Sequence, residues 1–272
     1  MSRSRRPRLP PQQTARRVLD VAVEAVNETG LTVSLEHLSF EDAIRRADVS
    51  RTAAYRLWPR KELFLHDLVR ELARADAPMA VARSASLLHV PALLRPELAR
   101  LADPAQRWAV VADLIRRGTE LDFQQMFDST AWRTYLALSA TFLSLEDGTL
   151  RSEVQAGLAA AQQRLVDRQA ESWERLASLL GFRLRPELGA GFDTLAALLA
   201  ASTRGVIIMA LSDPGLASRR VQADPFGTGV ASWSLVSLSY AMIATGLLEP
   251  DPDAVWDAAR AEAFVTEYED EG

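Results

Sequence analysis

An all-α fold is predicted by three features of this 272-residue chain. Apolar residues recur three and four apart in one segment after another, the spacing of a buried helix face. Leu150 to Leu180 is a long stretch of Ala, Gln, Leu and Arg, all good helix formers. Strand signals are nearly absent, with no alternating β-branched runs bounded by turns. About nine or ten helices follow from this spacing, arranged as a small N-terminal helix-turn-helix domain and a larger C-terminal helical domain.

Residues 1–13, MSRSRRPRLPPQQ, are punctuated by proline and show no helical pattern. They are expected to form a flexible basic arm. Its Arg3, Arg5, Arg6 and Arg8 either enter a neighbouring minor groove or neutralise phosphates, or they belong to a solvated tail with no role. Thr14 to Glu28 places Val18, Leu19, Ala22, Val23 and Val26 on one side of a helix, and Gly30 is a stop signal.

Residues 39–62, SFEDAIRRADVSRTAAYRLWPRKE, hold the densest information. Ser39 with Asp42 resembles a capping box, Asp standing in for Glu or Gln. Phe40, Ala43, Ile44 and Ala47 then share one helical face. Asp48 tolerates the left-handed conformation of a tight turn. Ser50 caps a second short helix, Arg51 to Leu57, which Pro59 ends. Its outer face carries Arg51, Thr52, Tyr55 and Arg56. That is the chemistry of a helix lying in a DNA major groove, because arginine can bond guanine in bidentate fashion and threonine offers a hydroxyl and a methyl to base edges.

A connecting helix is expected over residues 61–77, with Phe64, Leu65, Leu68, Val69 and Leu72 buried. Pro78, Pro91, Pro96 and Pro104 punctuate shorter segments. Further helices are expected at Ala105 to Met126, Ala131 to Leu143 and Leu150 to Leu180. Pro186 to Ser212 carries Leu195, Leu198, Leu199, Val206 and Met209 on a broad apolar face. Thr228 to Leu248 carries Trp233, Val236, Tyr240, Ile243 and Leu247. The loop between them, SDPGLASRRVQADPFG, has the residues of a mobile connection. No charge occurs between Asp224 and Glu249, a length that could cross a bilayer. Serines interrupt this run and its flanks are acidic, which argues against a span.

Val49-Ser50, Tyr55, Trp58 and Lys61-Glu62-Leu63, together with the preceding helix, resemble the DNA-binding motif of the TetR family of transcriptional regulators. The resemblance is specific over residues 14–70 and architectural beyond them. Asp48 stands where glycine is common, Trp58 where phenylalanine is usual, Ala43-Ile44 inverts the usual order, and Gly30 to Ser39 is several residues long for the pattern. The resemblance implies a homodimer on a near-palindromic operator and a small-molecule effector. It assigns residues 14–60 to DNA binding and 78–272 to ligand binding and dimerisation. The last two long helices would form the dimer interface, with Ala197, Ala201 and Gly205 permitting close approach. Tyr55 is expected on a phosphate, as its family counterpart is, and Lys61 at a helix start is expected to help hold another. Arg16 and Arg17 oppose the dipole of the first helix, a conflict a phosphate would relieve. With Ser50 these residues complete the expected DNA-facing set.

Charge follows the same division. Residues 1–61 hold 12 Lys/Arg against 7 Asp/Glu, and the remainder 19 against 29. A basic head on an acidic body is the footprint of a DNA-binding module on a domain that does not bind DNA. The absence of cysteine excludes disulfides and thiol chemistry, and three histidines make a His-rich metal site an unlikely design. No catalytic residue, metal or cofactor is expected. Residues 1–13 lack the apolar run of a signal peptide, so the location expected is cytoplasmic. Phe123, Met126, Phe127, Trp132, Tyr135 and Phe142 are candidates for a hydrophobic ligand pocket, against the simpler reading of aromatic core. The rival function is an all-α enzyme or binding protein that uses no DNA. Against it, no nucleophile elbow, phosphate loop or paired-histidine zinc motif occurs.

Overall fold

The computed structural model describes residues 10–29, 39–74 and 89–270. Arg3, Arg5, Arg6 and Arg8 of the arm, and Gly30, lie outside them. The fold is all-α, with two short two-stranded ladders. Two compact units divide the chain: residues 1–78 with 129–162, and residues 79–128 with 163–272. This grouping takes residues 129–162 out of the 78–272 body and joins them to the N-terminal segments.

In the first unit, α1 (Pro11–Thr29) begins earlier than expected and takes in the last residues of the presumed arm. Proline is at home at a first helical position, where its missing N–H is not needed. The Thr14 hydroxyl donates to the Pro10 carbonyl at 3.2 Å. α1 buries Val18, Ala22 and Val26. α2 (Phe40–Arg46) is capped by Ser39, which accepts from the Asp42 N–H at 3.1 Å. α3 (Arg51–Leu57) follows, then α4 (Lys61–Arg74). The α2–α3 turn pivots on Asp48, whose φ of 53° makes it the one non-glycine left-handed residue among those described. α7 (Thr130–Leu143) and the residues up to 162 of α8 (Thr149–Leu180) complete this unit, adding Leu138 and Val154 to its core. An aromatic group ties it together: Phe40 stacks on Phe64 at 4.6 Å between ring centroids, and Trp58 meets both edge-on at 5.8 and 5.6 Å.

The second unit opens with helical residues 89–94, a 3-10 turn at Arg95–Glu97 and the short α5 (Leu98–Leu101). α6 (Pro104–Asp128) and the latter part of α8 (Thr149–Leu180) carry its core. Gly181 ends α8 at a φ of +78°, and a Cβ there would sit 2.5 Å from Nη1 of the buried Arg107. Glycine is thus required twice over, by backbone conformation and by space. α9 (Phe192–Ser212), α10 (Gly215–Ser218), α11 (Leu235–Leu247) and α12 (Ala258–Asp270) follow.

The strands correct the sequence reading in two places. Between α9 and α11, the presumed mobile loop folds into α10 and a hairpin. β2 (Arg220–Ala223) pairs antiparallel with β3 (Ala231–Ser234). Trp233 belongs to β3 rather than to a helix from Thr228, and its indole N–H donates to the Ala223 carbonyl at 3.0 Å. β1 (Phe182–Leu184) pairs with β4 (Leu248–Pro250), closed by the Arg183–Glu249 ion pair at 2.8 Å. Strands of three and four residues are too short to show alternation in sequence, and tertiary packing decides them.

α9 is apolar on more than one side. Leu195, Leu199 and Ile207 are buried, whereas Leu198, Ile208 and Met209 of α9 and Met242 of α11 are exposed. The single broad face expected for α9 therefore splits into an inward and an outward stripe. Among the described residues α9 is the one helix long and apolar enough to cross a membrane by length and composition. The uncharged run from Asp224 to Glu249 instead divides between the hairpin and the 13-residue α11.

Candidate nucleic-acid interface and ligand cavity

α3 is presented by its neighbours rather than by its own length, since seven residues do not make a stable helix alone. Ser50 accepts from the Ala53 N–H at 3.2 Å, closing the open first turn. Ala54 is fully buried against the core, and Trp58 follows at 3% exposure, its indole N–H donating to Asp67 Oδ2 at 2.8 Å. With that side fixed, Arg51, Thr52, Tyr55 and Arg56 all stand exposed on the other. Arg16 and Arg17 of α1 are exposed as well, Arg16 lying 3.8 Å from Asp20. Lys61, at the start of α4, is half-buried.

One residue of this surface is absent from the expected set. Glu41 of α2 accepts from Arg51 Nη2 and from the Tyr55 hydroxyl, both at 2.7 Å on the same oxygen. The Tyr55 hydrogen bond, followed by that of Arg51, holds the Glu41 carboxyl below its usual range. The same contacts raise the pKa of Arg51 and of Tyr55. Arg51 and Tyr55 are thus held together by a carboxylate of the neighbouring helix. Both partners of the ion pair are solvent-exposed, so water and salt weaken it and a phosphate can displace Glu41. Nothing in the spacing of residues 39–62 marks Glu41, because the bond spans two helices.

The second unit holds a cavity of about 370 Å³. Leu93, Ile115, Trp173, Leu199, Tyr240 and Phe264 are among the apolar and aromatic residues around it. Of the six ligand candidates only Met126 lines it. Phe123 and Phe127 stack on each other at 5.7 Å on the same helix. Trp132, Tyr135 and Phe142 belong to the first unit, where Trp132 meets Tyr135 edge-on at 5.8 Å and the Arg151 guanidinium lies 4.7 Å above Phe142. The six are neighbours in sequence on successive helices, but the chain changes unit between Asp128 and Ser129.

Asp122 is the chemically distinctive lining residue. Its Oδ1 is out of solvent reach and accepts no hydrogen bond among the described residues. Burial pushes its carboxyl up to about 7. Tyr240, whose hydroxyl lies 3.0 Å from the Thr203 hydroxyl, is pushed up to about 12 by burial, with the Asp122 charge adding to the shift. A signal for Asp122 existed in the sequence. Ile115, Thr119, Asp122 and Met126 fall on one helical stripe, so a carboxylate occupies a position otherwise turned inward.

No family model and no curated protein matches the chain. Among solved structures it is similar to SmeT, the repressor of the Stenotrophomonas maltophilia multidrug efflux pump SmeDEF, at 21% identity over 88% of this chain and 92% of that one, with a TM-score of 0.39. A SmeT–triclosan complex gives 22% identity over 88% and 93%, TM-score 0.39. A TetR-family transcriptional regulator from Agrobacterium tumefaciens gives 15% identity over 87% and 96%, TM-score 0.39.

The contact of Glu41 with Arg51 and Tyr55 leads to a prediction. Glu41→Gln keeps the shape of the side chain and removes its charge. DNA affinity is expected to rise roughly three- to tenfold, through loss of both the competing acceptor and a charge repelling phosphate. Fluorescence anisotropy with a labelled duplex at fixed salt reads this directly. A fall in affinity would mean that Glu41 orients Arg51 for binding rather than competing for it.

Proposed function

We propose that the chain is a TetR-like transcriptional regulator that binds a near-palindromic operator as a homodimer and is released from it by a small hydrophobic effector. The observation that carries this reading is the capped pair α2 and α3, joined at left-handed Asp48 and docked through Ala54 and Trp58. The pair leaves an exposed face of Arg51, Thr52, Tyr55 and Arg56. Residues at the start of such a second helix are those nearest to base edges in the major groove. Arg51 and Thr52 would read bases. Tyr55, Lys61, Arg16 and Arg17 would hold the backbone, with Arg56 serving either role and Ser50 capping the helix at the groove.

The outward stripe of α9 supports dimerisation. Leu198, Ile208 and Met209 are exposed beside the small Ala197, Ala201 and Gly205, with Met242 exposed on α11. A dimer must set two recognition helices about 34–36 Å apart to meet successive major grooves. An effector that binds better to a dimer of another spacing moves the population off DNA. The working location of such a regulator is the cytoplasm.

Two substitutions test the assignment. Arg51→Ala is expected to lose roughly ten- to a hundredfold in affinity for the operator, by removing a bidentate contact to a base edge. Lys61→Ala should weaken all sequences alike and shorten the salt dependence by about one phosphate contact. Binding curves on operator and scrambled DNA at several salt concentrations separate the two. Unchanged affinity in both variants would remove α3 from the DNA interface.

A further inference from the structure

We propose that the cavity of the second unit binds an aromatic cation of the amidinium or ammonium class, with Asp122 as its counter-ion. This names the ligand class of the regulator proposed above, and rests on that reading only for the consequence on DNA.

The argument begins with unsatisfied acceptors. Two buried oxygens that line the cavity, Asp122 Oδ1 and Gln169 Oε1, accept no hydrogen bond among the described residues. Buried polar atoms are normally paired, and a carboxylate in an apolar surround is costly unless a cation or donors meet it. Tyr240 also lines the cavity, and its hydroxyl already has the Thr203 hydroxyl at 3.0 Å. What these two oxygens lack is therefore N–H donors and, at Asp122, a positive charge.

The walls suit an aromatic body. Trp173 and Tyr240 lie edge to face at 6.2 Å, and Phe182 and Phe264 also line the space. A volume near 370 Å³ falls at the small end of the range of about 300–1,000 Å³ for ligand sites, which fits one or two fused rings with a polar head. Aromatic faces attract cations.

The charged neighbours do not supply the missing partner. Arg168, Glu171 and Arg175 of α8 line the cavity and are all exposed. Arg175 is placed over the Phe264 ring at 5.6 Å. From the other walls come Val90 and Leu93, Leu195 and Leu199 of α9, and Phe264 of α12, with Tyr240 of α11 the remaining titratable group. An anionic ligand would have to be held by arginines screened by water while facing Asp122. A cation gains most where water is excluded.

The test uses the full-length protein and three probes of one shape: 2-naphthamidine, which is cationic, 2-naphthamide, which is neutral, and 2-naphthoate, which is anionic. Calorimetric titration is run at about pH 5.5 and about pH 8.5, bracketing the ionisation of Asp122. The amidine keeps its charge across this range, so its affinity follows the carboxylate. Naphthamidine is expected to bind roughly tenfold or more tightly at the higher pH, and naphthamide to bind more weakly with no pH dependence. In Asp122→Asn, naphthamidine falls to the level of the amide at both values. An amide equal to the amidine at the higher pH, a pH-independent amidine, tighter naphthoate, or no binding by any of the three would overturn the assignment. The wild-type pH dependence needs no variant to fold. Retention of DNA is measured in parallel. Amidine binding without DNA release would leave the cation site standing and remove the effector role.

Discussion

Trp58→Ala is expected to lower the stability of the N-terminal unit by about 3–5 kcal/mol, the range for deleting a buried aromatic side chain. Trp58 is 3% exposed and packs edge-on against both Phe40 and Phe64. Its loss opens a space directly behind α3, which has only seven residues and one buried side chain of its own. α3 would then lose its support before the exposed residues change at all. Urea unfolding should show the lowered midpoint, and DNA binding should fail even though Arg51, Thr52 and Tyr55 are intact. Trp58→Phe is the control. It keeps most of the packing and removes the indole N–H donated to Asp67, and Asp67 still accepts from Arg70 Nη1 at 2.6 Å. A cost of about 1 kcal/mol with DNA binding retained is expected for it. Wild-type stability in Trp58→Ala would mean that α3 is held in place by something other than this aromatic group.

Asp122→Asn is expected to stabilise the ligand-free protein, increasingly so as pH rises. The direction follows from linkage. The folded carboxyl sits at about 7, raised by burial from an ordinary value of 3.8. Protonation therefore contributes stability that is fully present below pH 3.8 and is lost as pH rises through 7. Asparagine never ionises. The variant should match the wild type within about 1 kcal/mol near pH 4. Above about pH 8 it should exceed the wild type by about 2–4 kcal/mol, three pKa units at about 1.4 kcal/mol each being the upper bound. Thermal melts across this range provide the comparison. A difference that does not change with pH would show that Asp122 is hydrated when charged, and the need for a cationic partner would vanish with it.

The helix-turn-helix was legible because its signals are local. Ser39 and Ser50 act on N–H groups three residues away, and the strain at Asp48 belongs to a single residue. The apolar spacing of α1 and α4 likewise names most of their buried residues. What was not legible depends on which elements meet. Glu41 reaches Arg51 and Tyr55 from another helix. The ladders β1–β4 and β2–β3 join segments whose strands are too short to announce themselves. The aromatic run from Phe123 to Phe142 is continuous in sequence, but adjacency in sequence is not adjacency in space, and its residues divide between two units. Asp122 lies between these cases. Its place on an inward stripe can be read from the sequence, but its want of a partner cannot.

The most direct test of the central claim is selection of bound fragments from genomic DNA by the purified full-length protein, repeated at two salt concentrations. Recovery of a shared near-palindromic site, with half-sites about one helical turn apart and binding that persists at the higher salt, is the predicted result. Weak retention that is lost with added salt and yields no common site would contradict it, reducing the exposed face of α3 to nonspecific charge.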